Sequence, residues 1–203
     1  MIMMVRFFVP LMFALAAPQL ASAENLMANA RVDVLPYGTL EAEAGDFSAE
    51  FDTKVAYAIG GELYYMIAPN VWVGVAPRYI LNVDPKPTDG QQDDDVEATQ
   101  IDLPVRARYA HPVSPQVSMF GVLGLGYSII QIPDSGDEGE DAPNASGLIA
   151  GFGGGATFAL GGSLYASAEL NYQLGFQSVS EDGLDAKLKS NYLTLGLGVG
   201  SYF

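Results

Sequence analysis

Cysteine is absent from the 203 residues. If exported, such a chain must hold together without disulfides, and no lipid-modified cysteine can anchor it. Positive charge is scarce. Nine lysines and arginines stand against 24 aspartates and glutamates, a net charge of −15. There is no basic patch to neutralise phosphates, which argues against nucleic acid as a partner. Histidine occurs once, at His111. Beyond the first residues there is no long apolar run, so no transmembrane helix is expected. Yet the composition is 49% hydrophobic with 23 glycines, too apolar for a disordered chain. Apolar residues that are abundant without forming runs are dispersed, and alternation disperses them.

Residues 1–23 read MIMMVRFFVPLMFALAAPQLASA. One basic residue, Arg6, precedes an apolar stretch from Phe7 to Ala17, and the segment closes on Ala-Ser-Ala. That is the pattern of a secretory signal removed on export. As a membrane helix the stretch is too short and is broken by Pro10 and Pro18. The mature chain is then expected to be residues 24–203, one domain. Loss of Arg6 leaves eight basic against 24 acidic residues, a net charge of −16.

Period-two alternation dominates the mature chain. It predicts eight strands, at residues 30–42, 53–67, 71–83, 99–110, 116–131, 147–160, 163–176 and 190–203. One face of these strands is continuous and nearly uncharged. On the third it carries Val71, Val73, Val75, Tyr79, Leu81 and Val83; on the eighth, Leu193, Leu195, Leu197, Val199 and Phe203. The opposite face mixes glycine, aromatic and charged residues, among them Trp72, Tyr165, Tyr192 and Arg78. Connections alternate in length. APN, HPVSP and GG are tight turns, whereas EAGDFSAEFD, DPKPTDGQQDDDVEA, PDSGDEGEDAPNA and SVSEDGLDAKLK are long and polar. Aromatic residues on the apolar face sort into two belts. Tyr65, Tyr109, Phe158 and Phe203 fall at the short-turn end, and Tyr57, Tyr79, Tyr127, Tyr172 and Phe176 at the other.

This pattern predicts an all-β fold: an eight-stranded antiparallel transmembrane β-barrel with short periplasmic turns and long acidic extracellular loops. Lipid tolerates no unpaired backbone, so the eighth strand is expected to close against the first. A soluble ligand-binding barrel of lipocalin type is the alternative. It fails on the two aromatic belts and on the charge lying inside rather than outside. Pro36, Pro77 and Pro104 fall within predicted strands. A closed barrel has no edge to hide a missing N–H, so each should sit at a bulge or cost a ladder hydrogen bond.

The topology, the strand QIDLPVRARYA at 100–110 and the terminal Phe203 together resemble the small outer-membrane β-barrel superfamily of OmpA-like and OmpX-like eight-stranded domains. The resemblance covers the whole mature chain and implies a non-enzymatic, porin-like integral protein of the cell outer membrane. It also implies that Phe203, with Val199, Leu197 and Leu195 before it, is the signal read by the barrel-assembly machinery. Ser201 departs from that pattern, where an apolar residue is more usual.

Four groups of residues are candidate sites. By parity Arg31, Asp33, Lys54, Glu62, Arg78, Asp102, Arg106, Arg108 and Glu169 face the interior. An eight-stranded barrel is only just wide enough for its own side chains, so these ions read as a lumen salt-bridge network; a gate on a narrow path is the functional alternative. Inward glycines at 124, 126, 151, 153, 155, 196, 198 and 200 read as room for bulky side chains from strands two to four, or as a slot for a small apolar ligand. Asp93, Asp94, Asp95, Asp137 and Glu138 lie in acidic loops that keep the surface hydrated or bind Ca²⁺ or Mg²⁺ through oxygen ligands. His111 sits at a periplasmic turn, the wrong end for an outer-membrane hydrolase.

The sequence therefore points to a structural protein or a narrow channel for ions or small solutes. A surface adhesin or divalent-cation binder working through its loops is the alternative, and a lipid-modifying enzyme a remote one. No cofactor is implied. The expected partners are outer-membrane lipid and lipopolysaccharide, the assembly machinery and an extracellular ligand held by the loops.

Overall fold

A computed structural model of the chain describes residues 25–44, 47–83, 98–131, 144–181 and 184–203. The described residues form ten antiparallel strands: β1 (Leu26–Ala44), β2 (Phe47–Asp52), β3 (Ala56–Ala68), β4 (Val71–Val75), β5 (Arg78–Leu81), β6 (Thr99–Pro112), β7 (Val117–Gln131), β8 (Asn144–Gly161), β9 (Leu164–Glu181) and β10 (Leu184–Tyr202). β1 pairs with β3 on one side and β10 on the other, so the sheet closes on itself. β4 and β5 share one place in the ring, each between β3 and β6. The ten strands thus make eight staves. At the closure Leu26 and Phe203 exchange two backbone hydrogen bonds, of 3.1 and 2.8 Å, so the start of β1 and the end of β10 both sit at the short-turn end.

Two predicted loops are mostly strand. β1 and β2 carry their pairing up to Ala44 and Phe47, and β9 and β10 up to Glu181 and Leu184. LDAKLK at 184–189 alternates apolar and polar as strictly as any barrel strand; its charge disguised it. The loops at 84–97 and 132–143 lie outside the described residues, as does the expected signal at 1–23.

The prolines are accommodated in three ways. Pro36 sits where the β1–β10 register shifts, between Val34 and Tyr37. The bulge also reverses parity, so that Leu40 joins Leu35 on the inside. Pro77 occupies the gap between β4 and β5, which splits the predicted 71–83 strand. Pro104 lies within unbroken β6, and its carbonyl accepts from Ala76 N–H at 3.0 Å. In a strand the N–H and C=O of one residue point the same way. The missing donor of Pro104 therefore faces the gap that Pro77 already opens, and the two prolines share one defect.

Val83 corrects the expected facing. Asn82 adopts a left-handed φ of 60°, which asparagine tolerates better than most residues. Alternation stops there, and Val83 is buried inside instead of meeting lipid.

Elsewhere the outer face is as expected. Val32, Ile59, Val105, Leu123, Leu170 and Leu197 are all exposed, and Leu125 is 70% exposed. From the Val117–Phe158 pair to the Tyr127–Leu148 pair is about ten residues, which at a tilt near 40° is ~25 Å along the barrel normal, the height of an outer-membrane apolar band. Tyr65, Tyr109 and Phe158 stand exposed at one limit, and Tyr57, Tyr127 and Phe176 at the other. Leu123 lies near mid-band. Leu123→Arg is expected to cost about 2–4 kcal/mol of unfolding free energy in lipid vesicles, and Met119→Arg, beside the lower belt, about 0–1. Denaturant titration of both variants checks this.

Candidate functional site: the barrel interior

Inward side chains stack in three tiers along the axis. The lowest, nearest the chain ends, is apolar and aromatic: Met27, Tyr64, Trp72 and Tyr165, with Met66 and Ala110 against them. Tyr202 packs beneath, its ring 4.8 Å from Tyr165 and 5.8 Å from Trp72. The highest tier is Leu35, Leu40, Ala56, Ala58, Ile80, Val83 and Tyr192. The paired charges lie between them.

The middle tier is one connected network. Glu62 accepts from Arg31 Nη1 at 2.7 Å, Arg106 Nη1 at 2.5 Å and Asn29 Nδ2 at 3.0 Å. Arg106 reaches on to Glu169 at 2.5 Å. Arg31 forks onto Asp33 through Nε and Nη2, at 2.9 and 2.7 Å. Arg78 does the same to Asp102, at 2.9 and 2.8 Å. Gln100 and Gln173 each donate to Asp102, at 2.7 and 2.9 Å, and Arg78 also donates to Gln173. Asp33 and Arg78 stand 4.0 Å apart and join the two halves. Charge-assisted forks of this kind are the strong hydrogen bonds, and none of these ions is more than a tenth exposed.

Of the nine residues that share the inward parity, all but Lys54 are buried. Arg31, Asp33, Glu62, Arg78, Asp102, Arg106 and Glu169 come together. Arg108 does not. It lies two residues along β6, in the lower tier, with its guanidinium carbon 3.6 Å from the centre of the Phe120 ring. Its Nε and Nη2 are buried without a hydrogen-bond partner, so the aromatic face is its electrostatic neighbour. The paired tier therefore holds three arginines against four carboxylates. Lys54 lies half-buried on the link between β2 and β3. Asn29, Gln100 and Gln173, which share the inward parity of the charges, complete the network.

The glycines of β10 make room for neighbours on β1 and β9, not for strands two to four. A Cβ at Gly196 would strike Arg31 and Asp33, at Gly198 Asn29, and at Gly200 the Tyr165 ring. On β7, Gly124 admits the stem of Arg106, as expected. Beside Gly124 and Gly151 a cavity of about 30 Å³ remains, bordered by Arg31, Arg78, Arg106 and Glu169, room for one or two waters. The proposed assembly-signal residues Leu195, Leu197 and Val199 are exposed on the outer face, and Phe203 is half-buried. Asp93, Asp94, Asp95, Asp137 and Glu138 lie outside the described residues.

Residues 7–202 match the family described as outer membrane protein beta-barrel domain. The chain belongs to this family. Among solved structures the chain is similar in fold to the outer membrane protein OprG from Pseudomonas aeruginosa, with a TM-score of 0.55 and 14% identity over 88% of this chain and 95% of that one. Neisserial surface protein A superposes with a TM-score of 0.54 and 14% identity over 87% of this chain and 97% of that one. At this identity the likeness speaks to fold alone. No curated protein matches the sequence. The chain is an outer-membrane β-barrel protein of the cell outer membrane.

Glu62→Gln leaves Arg31 and Arg106 short of a buried counter-charge. Removing one partner of a buried pair typically costs ~3–5 kcal/mol, and that loss is expected in equilibrium unfolding of this variant. The exposed upper part of the β1–β10 seam offers a pH test. Lys189, by hydrogen bond and charge, holds the Glu43 carboxyl below its ordinary pKa, and Glu43 raises Lys189. The Glu43 contribution is complete above the usual carboxylate pKa and vanishes as pH falls through the lowered one. The Lys189 contribution is complete below the usual lysine pKa and vanishes as pH rises through the raised one. Amide protection factors in the upper part of the β1–β10 pairing should fall on acidification, and Lys189→Met should remove that dependence.

Proposed function

We propose that the protein is a non-enzymatic structural barrel whose lumen is closed to solutes and whose long-hairpin end faces the cell exterior. One observation carries this: the charges of the middle tier are paired with one another and lie between clusters of buried apolar and aromatic side chains on both sides. A conducting path needs polar groups that face water. Here they face one another, and Ile80, Gln100 and Asp102 have no exposed surface at all. Export with loss of residues 1–23 fits this reading, and so does assembly directed by the terminal strand. His111 is exposed at the end of β6, on the chain-end side, and among the described residues no serine or aspartate is bonded to it. That arrangement supports a non-catalytic role.

A narrow channel is the second reading. The cavity beside Gly124 and Gly151 favours it, because it lies along the glycine wall where the charges leave space. Planar-bilayer recording of refolded, heat-modifiable protein separates the two. No discrete steps are expected at neutral pH and high salt. Reproducible unitary steps, abolished by filling the cavity with Gly124→Ala and Gly151→Ala together, would establish the channel instead.

A further inference from the structure

Above the apolar band the described residues do not close the wall. β2 hydrogen-bonds to β1 along Phe47–Asp52, and among the described residues no strand pairs with its other side. Thr53 N–H bonds to Gly38 O at 2.8 Å, which fixes the phase of the ladder. Counting back by twos, Phe51, Ala49 and Phe47 turn their backbone groups to β1. Ser48, Glu50 and Asp52 turn theirs to the open edge. An unpaired row of this kind is a template for another strand.

The side chains indicate what that strand should carry. Glu41 and Glu50 are opposed in a non-hydrogen-bonded pair, the arrangement that brings side chains closest. Like charges so placed are destabilising. Lys189 is drawn to the far side, 2.7 Å from Glu43 and 3.4 Å from Glu41. No cation of a described residue pairs with Glu50. Asp52 lies on the same face of the edge, next in line. Among the described residues the edge thus offers unpaired donors and acceptors beside carboxylates with no cation paired to them.

We infer that β2 is a docking edge for an extended basic peptide segment of another protein, added as a further strand with lysine or arginine opposite Glu50 and Asp52. Backbone hydrogen bonds supply the pairing and the carboxylates select its charge. A second copy of this chain is disfavoured, because it would bring acid against acid. Docking here rests on the closed-barrel reading only for which end faces outward. Conductance tests that reading; peptide binding tests this one.

The test uses the refolded full barrel in zwitterionic micelles and a labelled heptapeptide, Thr-Lys-Val-Lys-Val-Lys-Thr, blocked at both ends. Fluorescence anisotropy measures affinity, and hydrogen exchange reads the edge. Binding is expected to slow exchange at Ser48, Glu50 and Asp52 selectively. Ser48→Pro removes a donor that faces the open edge and spares the β1 ladder, and should weaken binding roughly tenfold. Glu50→Lys, which leaves the backbone unchanged, should turn preference to the corresponding glutamate peptide. Equal binding by the peptide N-methylated at every amide would overturn the inference in favour of charge attraction alone. Slow exchange at those three amides in the free protein would overturn it too, since the edge would already be covered by the chain itself or by a second copy.

Discussion

Hydrocarbon offers no partner to a backbone N–H or C=O, and each one left unpaired costs several kcal/mol. Much else in the molecule answers to that constraint. It requires β1 to meet β10, since any free edge within the band would carry a row of unsatisfied groups. It explains why residues that lack a donor are grouped. Pro77 opens a gap in the wall, and Pro104 turns its missing donor to the same gap, so one local defect serves both. Pro36 is absorbed by a bulge. Asn82 takes its left-handed backbone just after β5 ends, and pairing resumes at Val83, whose N–H donates to Ala98 O at 3.0 Å.

Closure into eight staves fixes the interior as well. The lumen is narrow, side chains from opposite walls meet, and any charge placed there is desolvated. Desolvated ions must be paired. The sequence meets this with arginines that fork onto carboxylates and with amides that take up the remaining lone pairs. Glycine on β10 is the necessary counterpart, because guanidinium and tyrosine side chains from β1 and β9 fill the volume its side chains would need. The same volume argument explains the tiers. Apolar residues above and below keep water from the network, and a dry network is electrostatically strong.

How much of this could be read in the sequence depends on the level. Alternation revealed the staves and the lipid face because period two is a direct image of the pleat. It failed at 43–52 and 178–189, where acidic composition resembles a loop although FSAEFD and LDAKLK keep the period. It failed at Val83 because a single left-handed residue resets parity without any change in hydrophobicity. Partner choice inside the lumen was less legible still. Arg106 and Arg108 share a strand and a face, yet two residues is about 6.6 Å along a strand, and that step separates a carboxylate pair from an aromatic ring. Parity assigns a wall; only the register between staves assigns a depth.

Register also divides the protein into two regimes. Within the band each stave has two neighbours, and pairing is obligatory. Above it β1, β2, β9 and β10 continue upward, and among the described residues the stave of β4 and β5 does not follow. Pairing there becomes optional, because water can satisfy what no strand does. Carboxylates of the kind at Glu50 and Asp52 fit such a site. They hydrate an edge that would otherwise add strands without selection, and they set a condition on any strand that does add. The acidity excluded from the apolar band reappears where the backbone is first free, and the same residues that keep the edge soluble would give it specificity.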